Sequence, residues 1–280
     1  MRLADYTSET PERKRATATK QKVNANMKTN PTRWRILLMF AVVATTSGNV
    51  RADQLRFESG EKRVSFVELF TSEGCSSCPP AERALSKLTT YPSLWKTFVP
   101  VAFHVNYWDK LGWKDRLASV EFTQRQHTYA AGWRSNTVYT PEFVLNGREW
   151  QWSGTDVLAR ESNETPGALT VSQNSGGDNF VVTFNSTKPI TGQVIAHVAF
   201  LGFGVTSDVA RGENAGRKLT HDFVALVHHQ SPLQGPSLRA EFKPDENSGG
   251  SHSRALAAWV SVGSDPTPIQ ATGGWLPLQH

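Results

Sequence analysis

The chain has 280 residues, 30 Lys and Arg against 25 Asp and Glu, a net charge of +5, and only two cysteines. The basic excess is local: residues 1–52 carry ten Lys and Arg against Asp5, Glu9 and Glu12, leaving 20 basic and 22 acidic residues in the remainder, a balance of −2. No basic stripe with interleaved aromatics survives that subtraction, which argues against nucleic acid as a partner, and the length suffices for one large domain or two ordinary ones.

The leader accounts for the charge. Trp34-Arg35 precede the apolar run Ile36 to Ala44, polar Thr45 to Gly48 follow, and Val50-Arg51-Ala52 supplies the −3 and −1 residues of a cut after Ala52. A basic segment, a short apolar core and such a site predict a secretory signal over residues 1–52. The apolar core falls well short of the ~20 residues a bilayer span needs, so no stable span is expected in the mature chain; a stop-transfer anchor is the alternative. Met27 offers a second start. A periplasmic or secreted location would place the cysteines where disulfides form and persist.

Val64 to Phe70 is a β-branched and aromatic run of strand length. It leads through Thr71-Ser72-Glu73-Gly74 into Cys75-Ser76-Ser77-Cys78-Pro79-Pro80, and Ala81 to Leu88 follows with Ala81, Ala84, Leu85 and Leu88 on one helical face. Phe98 to Val105 predicts a buried strand ending in the aromatic-rich loop Asn106 to Trp113, and Ser119 to Ala131 a helix capped by Ser119. Thr140 to Leu145, Asn146-Gly147 and Arg148 to Trp152 read as a hairpin, and Asp156 to Glu161 as a short helix. The order β-α-β-α-β-β-α predicts a mixed four-stranded sheet flanked by helices over residues 53–165, its first three strands parallel by right-handed crossovers. Beyond Pro166 the runs 168–172, 180–185, 193–200, 223–229, 238–242 and 255–262 are short, β-type and punctuated by Gly, Asn, Pro and Ser. They predict a separate β-rich, sandwich-like domain over residues 166–280.

Strand, Cys-x-x-Cys and helix is the context in which this spacing reads as a redox pair. A thiolate at a helix start is stabilised by unpaired N–H groups and the helix dipole. An inert disulfide and half of a zinc site are the competing readings; zinc usually takes four ligands and there is no second cysteine pair. Pro79-Pro80 suit a first helical turn and predict a helix that begins at Pro79 with Cys78 as its cap.

Cys75 to Cys78 together with Tyr139-Thr140-Pro141-Glu142-Phe143-Val144-Leu145-Asn146-Gly147 resembles the thioredoxin superfamily. More narrowly, Glu68 to Glu82, His104 to Asp115, Tyr139-Thr140-Pro141 and Arg211 to Arg217 resemble the secreted thioredoxin-like family known as domain of unknown function 1223. That resemblance implies an α/β thioredoxin-like domain, a cis Pro141 whose Thr140 backbone faces the cysteines, and a buried acid at Glu68 relaying protons to the resolving thiol. An exposed strand Glu68 is the alternative. Cys75, Cys78, Thr140, Pro141 and Glu68 are thus the expected catalytic residues, with Cys75 as nucleophile. Tyr107, Trp108 and Trp113 form an expected aromatic wall for substrate, or else core packing.

The expected function is an exported thiol–disulfide oxidoreductase acting on thiol- or disulfide-bearing proteins or small thiols, with no cofactor and no metal ligands assigned. Two alternatives stand beside it: a copper- or metal-binding carrier using the two cysteines and His104, and a non-catalytic binding module with a structural disulfide.

Overall fold

The computed structural model describes residues 55–277 apart from 153, 175–178, 236 and 244–252, so the expected leader lies outside the described residues. The described elements are β1 (Arg56–Glu58), β2 (Ser65–Thr71), α1 (Cys78–Ser86), β3 (Phe98–Val105), β4 (Ala118–Ser119), α2 (Val120–Gly132), β5 (Glu142–Leu145), β6 (Arg148–Glu149), α3 (Asp156–Ala159), β7 (Gly167–Gln173), β8 (Phe180–Ser186), β9 (Val194–Gly202), β10 (Val205–Asp208), β11 (Lys218–His221), β12 (Val224–Pro232), β13 (Arg239–Phe242), β14 (Ser253–Val262) and β15 (Asp265–Trp275). None of the described helices is long and apolar enough to cross a membrane.

The expected fold, a four-stranded thioredoxin-like sheet flanked by helices and followed by a separate sandwich, is not what forms. The chain is mostly β. One large sheet runs β15-β14-β9-β12-β3-β2-β5-β6, with β4 added beside β3. Strands from the second half of the sequence therefore extend the sheet begun by the first half. Contact between β3 and β12 is parallel at Val224 and Ala102, and the Ala102 amide donates to the Phe223 carbonyl at 2.8 Å. A second sheet, β1-β7-β8-β13, is antiparallel throughout.

The physical reason lies in β9 and β14. Val194, Ala196, Val198 and Phe200 alternate with Ala199 and Leu201, and Leu256, Ala258 and Val260 with Ala255, Ala257 and Trp259; all are buried. Side chains on a strand alternate between faces, so both faces are apolar and both must be covered. The first set packs on Leu169, Val171, Val182 and Phe184 of the second sheet. The other set faces the main core with Phe66, Phe70 and Phe103, where Trp259 lies 4.6 Å from Phe66 between ring centroids. The large sheet curls so that β15 returns over β2: Val64 N donates to Gln270 Oε1 at 2.8 Å, and Arg63 and Arg125 reach the carbonyls of Pro268 and Pro266.

β15 carries Pro266, Pro268, Gly273 and Gly274 and was not predicted as a strand. An edge strand tolerates proline, whose missing N–H is not needed on the open side. Gly274 has no room for a side chain, since a Cβ there would stand 2.2 Å from the Phe57 ring.

β2 and β3 are parallel, as predicted, but β5 runs antiparallel to β2 with Phe70 opposite Glu142. A helix of thirteen residues carries the chain about 20 Å along the sheet. Residues 133–141 then run back, so β5 starts at the end of the sheet where β2 finishes.

β2 is buried on both faces. On the side of α2, Glu68 is fully buried; it accepts from Arg125 Nε at 2.6 Å and from the Tyr129 hydroxyl at 2.5 Å. The Arg125 guanidinium lies over the rings of Phe103, Tyr129 and Trp259, 5.2 to 5.6 Å from each. Arg125→Met leaves the Glu68 carboxylate buried without its cation and is expected to cost about 3–5 kcal/mol. Urea denaturation reads that loss, and Glu68→Gln combined with Arg125→Met should recover most of it. A cost below about 1 kcal/mol for the single change, the surface-pair range, would mean that water reaches the pair.

Candidate functional site

The cysteine loop hangs between the end of β2 and the start of α1. Cys75 and Cys78 are joined in a disulfide. Ser77 occupies the helix cap and Cys78 the first helical position, one residue earlier than predicted, with both prolines inside the first turn where their missing N–H groups cost nothing. Gly74 permits the approach of Trp108: a Cβ at Gly74 would stand 2.9 Å from Trp108 Cβ.

The Thr140–Pro141 peptide is cis, and the Thr140 carbonyl oxygen lies 3.7 Å from Cys75 Sγ. Ser77 Oγ donates to the same carbonyl at 3.4 Å. Trp108 Nε1 donates to Thr140 Oγ1 at 2.8 Å, fixing that backbone against the loop. Tyr107 leans on Trp108, their centroids 6.4 Å apart, and Trp113 Nε1 donates to Glu73 Oε2 at 2.7 Å. The three aromatics are thus gathered around the cysteine loop, each partly buried.

Both cysteines are completely buried, whereas Ser76 and Ser77 between them are exposed. The segment 211–217 between β10 and β11 docks on the backbone of this loop. Asn214 Nδ2 donates to the carbonyls of Glu73 and Cys75, both at 2.9 Å, and Arg217 holds the Asn214 side-chain oxygen at 2.7 Å. At the rim, Glu213 accepts from the Ser76 amide at 3.0 Å and its hydroxyl at 2.7 Å. These bonds hold the Glu213 carboxyl below its usual range.

Strand alternation places Thr71 and its β3 neighbour His104 on the α1 side, opposite Glu68. Here a second group of buried ionisable residues collects. Thr71 Oγ1 donates to Glu82 Oε1 at 2.5 Å, and His221 Nδ1 lies 2.6 Å from Glu82 Oε2. His221 Nε2 stands 3.4 Å from Glu73 Oε1, an ion-pair distance without hydrogen-bond geometry. His104 Nδ1 pairs with Asp115 Oδ2 at 2.8 Å. Burial pushes His221 down, but Glu73 and Glu82 outweigh it and raise it to about 10. Burial likewise pushes Asp115 up, and His104 with the amides of Glu73 and Leu117 holds it instead at about 2.

Two further acids complete the picture. The Glu68 carboxylate is taken up by Arg125 and Tyr129 on the other face of β2, and its described hydrogen bonds include none to a cysteine. Glu142, next to Pro141, is buried and accepts from Gln126 Nε2 at 2.6 Å. Burial, with Glu149 and Glu68 nearby, pushes it up to about 7, and burial raises Tyr107 to about 12.

Glu82, Asp115, Gln126, Glu142, Asn214 and His221 are absent from the sequence-based candidates. Glu82, Asp115, Glu142 and Asn214 lie inside the motifs quoted above, a usable signal. His221, on a strand of its own, carries no local pattern at all.

A family model described as "Protein of unknown function (DUF1223)" matches residues 66–261. No curated protein matches the chain. Among solved structures, protein AGR_C_4864 from Agrobacterium tumefaciens is similar at 25% identity and a TM-score of 0.54, covering 79% of this chain and 100% of that one. HBP35 of Porphyromonas gingivalis is similar in fold alone, at 14% identity and a TM-score of 0.54 over 78% of this chain and 76% of that one.

Because Glu142 is raised in the folded chain, it keeps its proton at pH values where the unfolded chain has lost it. Its contribution to stability is therefore fully present below the unfolded carboxyl value, about 4.3, and is lost as pH rises through about 7. Glu142→Gln does not titrate. The unfolding free energy of the wild type minus that of the variant should fall across this window and level off above it. Urea melts at a series of pH values test this, and a difference independent of pH would contradict it.

Proposed function

The chain belongs to the DUF1223 family of proteins of unknown function, and we propose that it is an exported thiol–disulfide exchange protein whose Cys75–Cys78 bond is opened to partners by displacement of residues 211–217. The observation that carries this reading is the Thr140 backbone carbonyl set 3.7 Å from Cys75 Sγ, beside a disulfide at the mouth of α1. A partner thiolate attacks Cys75 Sγ, the Cys75–Cys78 bond breaks, and Cys78 leaves as a thiolate in the first turn of the helix, where the dipole favours negative charge. A second partner thiolate attacks the partner's sulfur, releases Cys75 as a thiolate, and departs as the oxidised partner. The partner loses two electrons and the pair gains them; the reverse sequence reduces a partner disulfide. Thiol-bearing proteins and small thiols both fit this chemistry, with Tyr107, Trp108 and Trp113 beside the loop as contact surface. Export rests on the leader in residues 1–52.

Complete burial of both sulfurs favours a second reading, an inert staple. A carrier that used the cysteines with His104 gains no support from His104's hydrogen-bond partner, which is Asp115.

Equilibration against thiol redox buffers, read by thiol labelling, separates the first two. An exchanging pair is expected between about −270 and −120 mV, a staple below about −300 mV. Asn214→Ala combined with Glu213→Ala should speed reduction by dithiothreitol several-fold, and Cys78→Ser should retain a partner disulfide-linked to Cys75. A potential below the exchange range, with no acceleration in the Asn214 variant, would leave the staple.

A further inference from the structure

The buried group on the α1 side holds polar atoms that nothing in the fold satisfies. His104 Nε2, His221 Nε2 and Glu73 Oε1 are buried without a hydrogen-bond partner. His104 and His221 are at most 1% exposed, and their rings meet edge to face with centroids 4.9 Å apart. Glu82, on the next turn of α1 after Cys78, directs its carboxylate into the same space. One ligand atom from each of Glu82, His104 and His221 lies within 4.8 Å of the other two, and among the described residues no other group of three such donors comes together.

We propose that Glu82, His104 and His221 form a binding site for a divalent transition-metal cation of the zinc type, separate from the two cysteines. Three features carry this. First, the donors are two imidazoles and one carboxylate, a set that suits zinc and its first-row neighbours and leaves a further position open. Second, Asp115 Oδ2 lies 2.8 Å from His104 Nδ1 and accepts from the Glu73 amide at 2.9 Å, while Oδ1 accepts from the Leu117 amide at 2.9 Å. A carboxylate fixed in this way accepts a hydrogen bond from Nδ1–H and leaves the Nε2 lone pair for a metal, the arrangement that orients metal-binding histidines. Third, a buried polar atom without a partner is unfavourable, and three buried carboxylates converge here on two imidazoles, so a cation that displaces the His221 proton puts two charges where one stood. A divalent cation satisfies the nitrogens and offsets the carboxylates at once. Glu73 Oε1, 3.4 Å from His221 Nε2, is placed to supply a fourth donor.

The placement has a structural consequence. Glu82 comes from α1, His104 from β3 and His221 from β11, so a bound cation would tie the helix that begins at Cys78 to the hairpin that carries the segment docked on the cysteine loop. The inference does not depend on thiol exchange and stands or falls without it.

The test uses the full chain with its disulfide intact, stripped with a chelator and dialysed. Zinc chloride titrated calorimetrically, with elemental analysis of the product, should give one equivalent per chain with submicromolar affinity. Cobalt(II) added in its place should give visible d–d bands without thiolate charge-transfer absorption. His104→Gln or Glu82→Gln should abolish stoichiometric binding, and Asp115→Asn should weaken it about 10–100-fold. Cys75→Ser combined with Cys78→Ser should bind as the wild type does. Circular dichroism identifies any variant that fails to fold, and the wild-type stoichiometry and cobalt spectrum need no variant. Absence of stoichiometric zinc in the wild type, unchanged affinity in folded His104→Gln, or a thiolate charge-transfer band would each overturn the proposal.

Discussion

A strand closed on both faces cannot hide ionisable side chains without giving each a counter-charge, and β2 imposes that condition on everything around it. Glu68 points toward α2 and Thr71 toward α1, because neighbouring side chains of a strand face opposite ways. On the first side the demand is met by Arg125, itself covered by the rings of Phe103, Tyr129 and Trp259. On the second it is met only in part, by two imidazoles, His104 and His221, set among three carboxylates, Glu73, Glu82 and Asp115. Removing one member of such a group leaves the others uncompensated, so each single loss costs more than the loss of a surface pair.

The cysteine loop is built on that foundation. Glu73 belongs to the buried group and at the same time offers its backbone carbonyl to Asn214, which also binds the Cys75 carbonyl. The segment docked on this loop and the charged group beneath it therefore share an anchor. Outside that anchor the contacts change character. Glu213 and Ser76 are exposed and meet at the rim, where water competes for every hydrogen bond. A segment held to the loop by one buried amide and an exposed carboxylate is bound less firmly than a core strand.

The Thr140 carbonyl and Cys75 are 65 residues apart in sequence, yet they meet because β5 pairs with β2 and begins opposite its last residues. The antiparallel direction of β5 is thus the feature that completes the site. The order of elements predicts the opposite direction, since a helix between two strands usually signals a parallel crossover. Residues 133–141 overrule that rule by returning the chain along the sheet. The same limit applies to the second half of the sequence. Its strands look like an independent sandwich by their spacing, while Ala257, Trp259, Ala199 and Leu201 on the remaining faces of β14 and β9 show that they join the first half's core.

By itself the sequence determined the local elements: the strands expected at 64–70 and 98–105, found at 65–71 and 98–105, the helix after the cysteines, the Ser119-capped helix and the Asn146-Gly147 turn. Each rests on periodicity, capping or turn chemistry within a few residues. It also marked Cys75, Cys78, Thr140 and Pro141 as neighbours by resemblance. Tertiary structure alone decided that one curled sheet takes in both halves, that both sulfurs are sealed, and that Glu82, Asp115 and His221 meet His104. Those outcomes depend on which strand lies beside which and on which face each side chain takes once both faces are covered. Such pairings join residues from eleven to more than a hundred positions apart, and no local pattern encodes them.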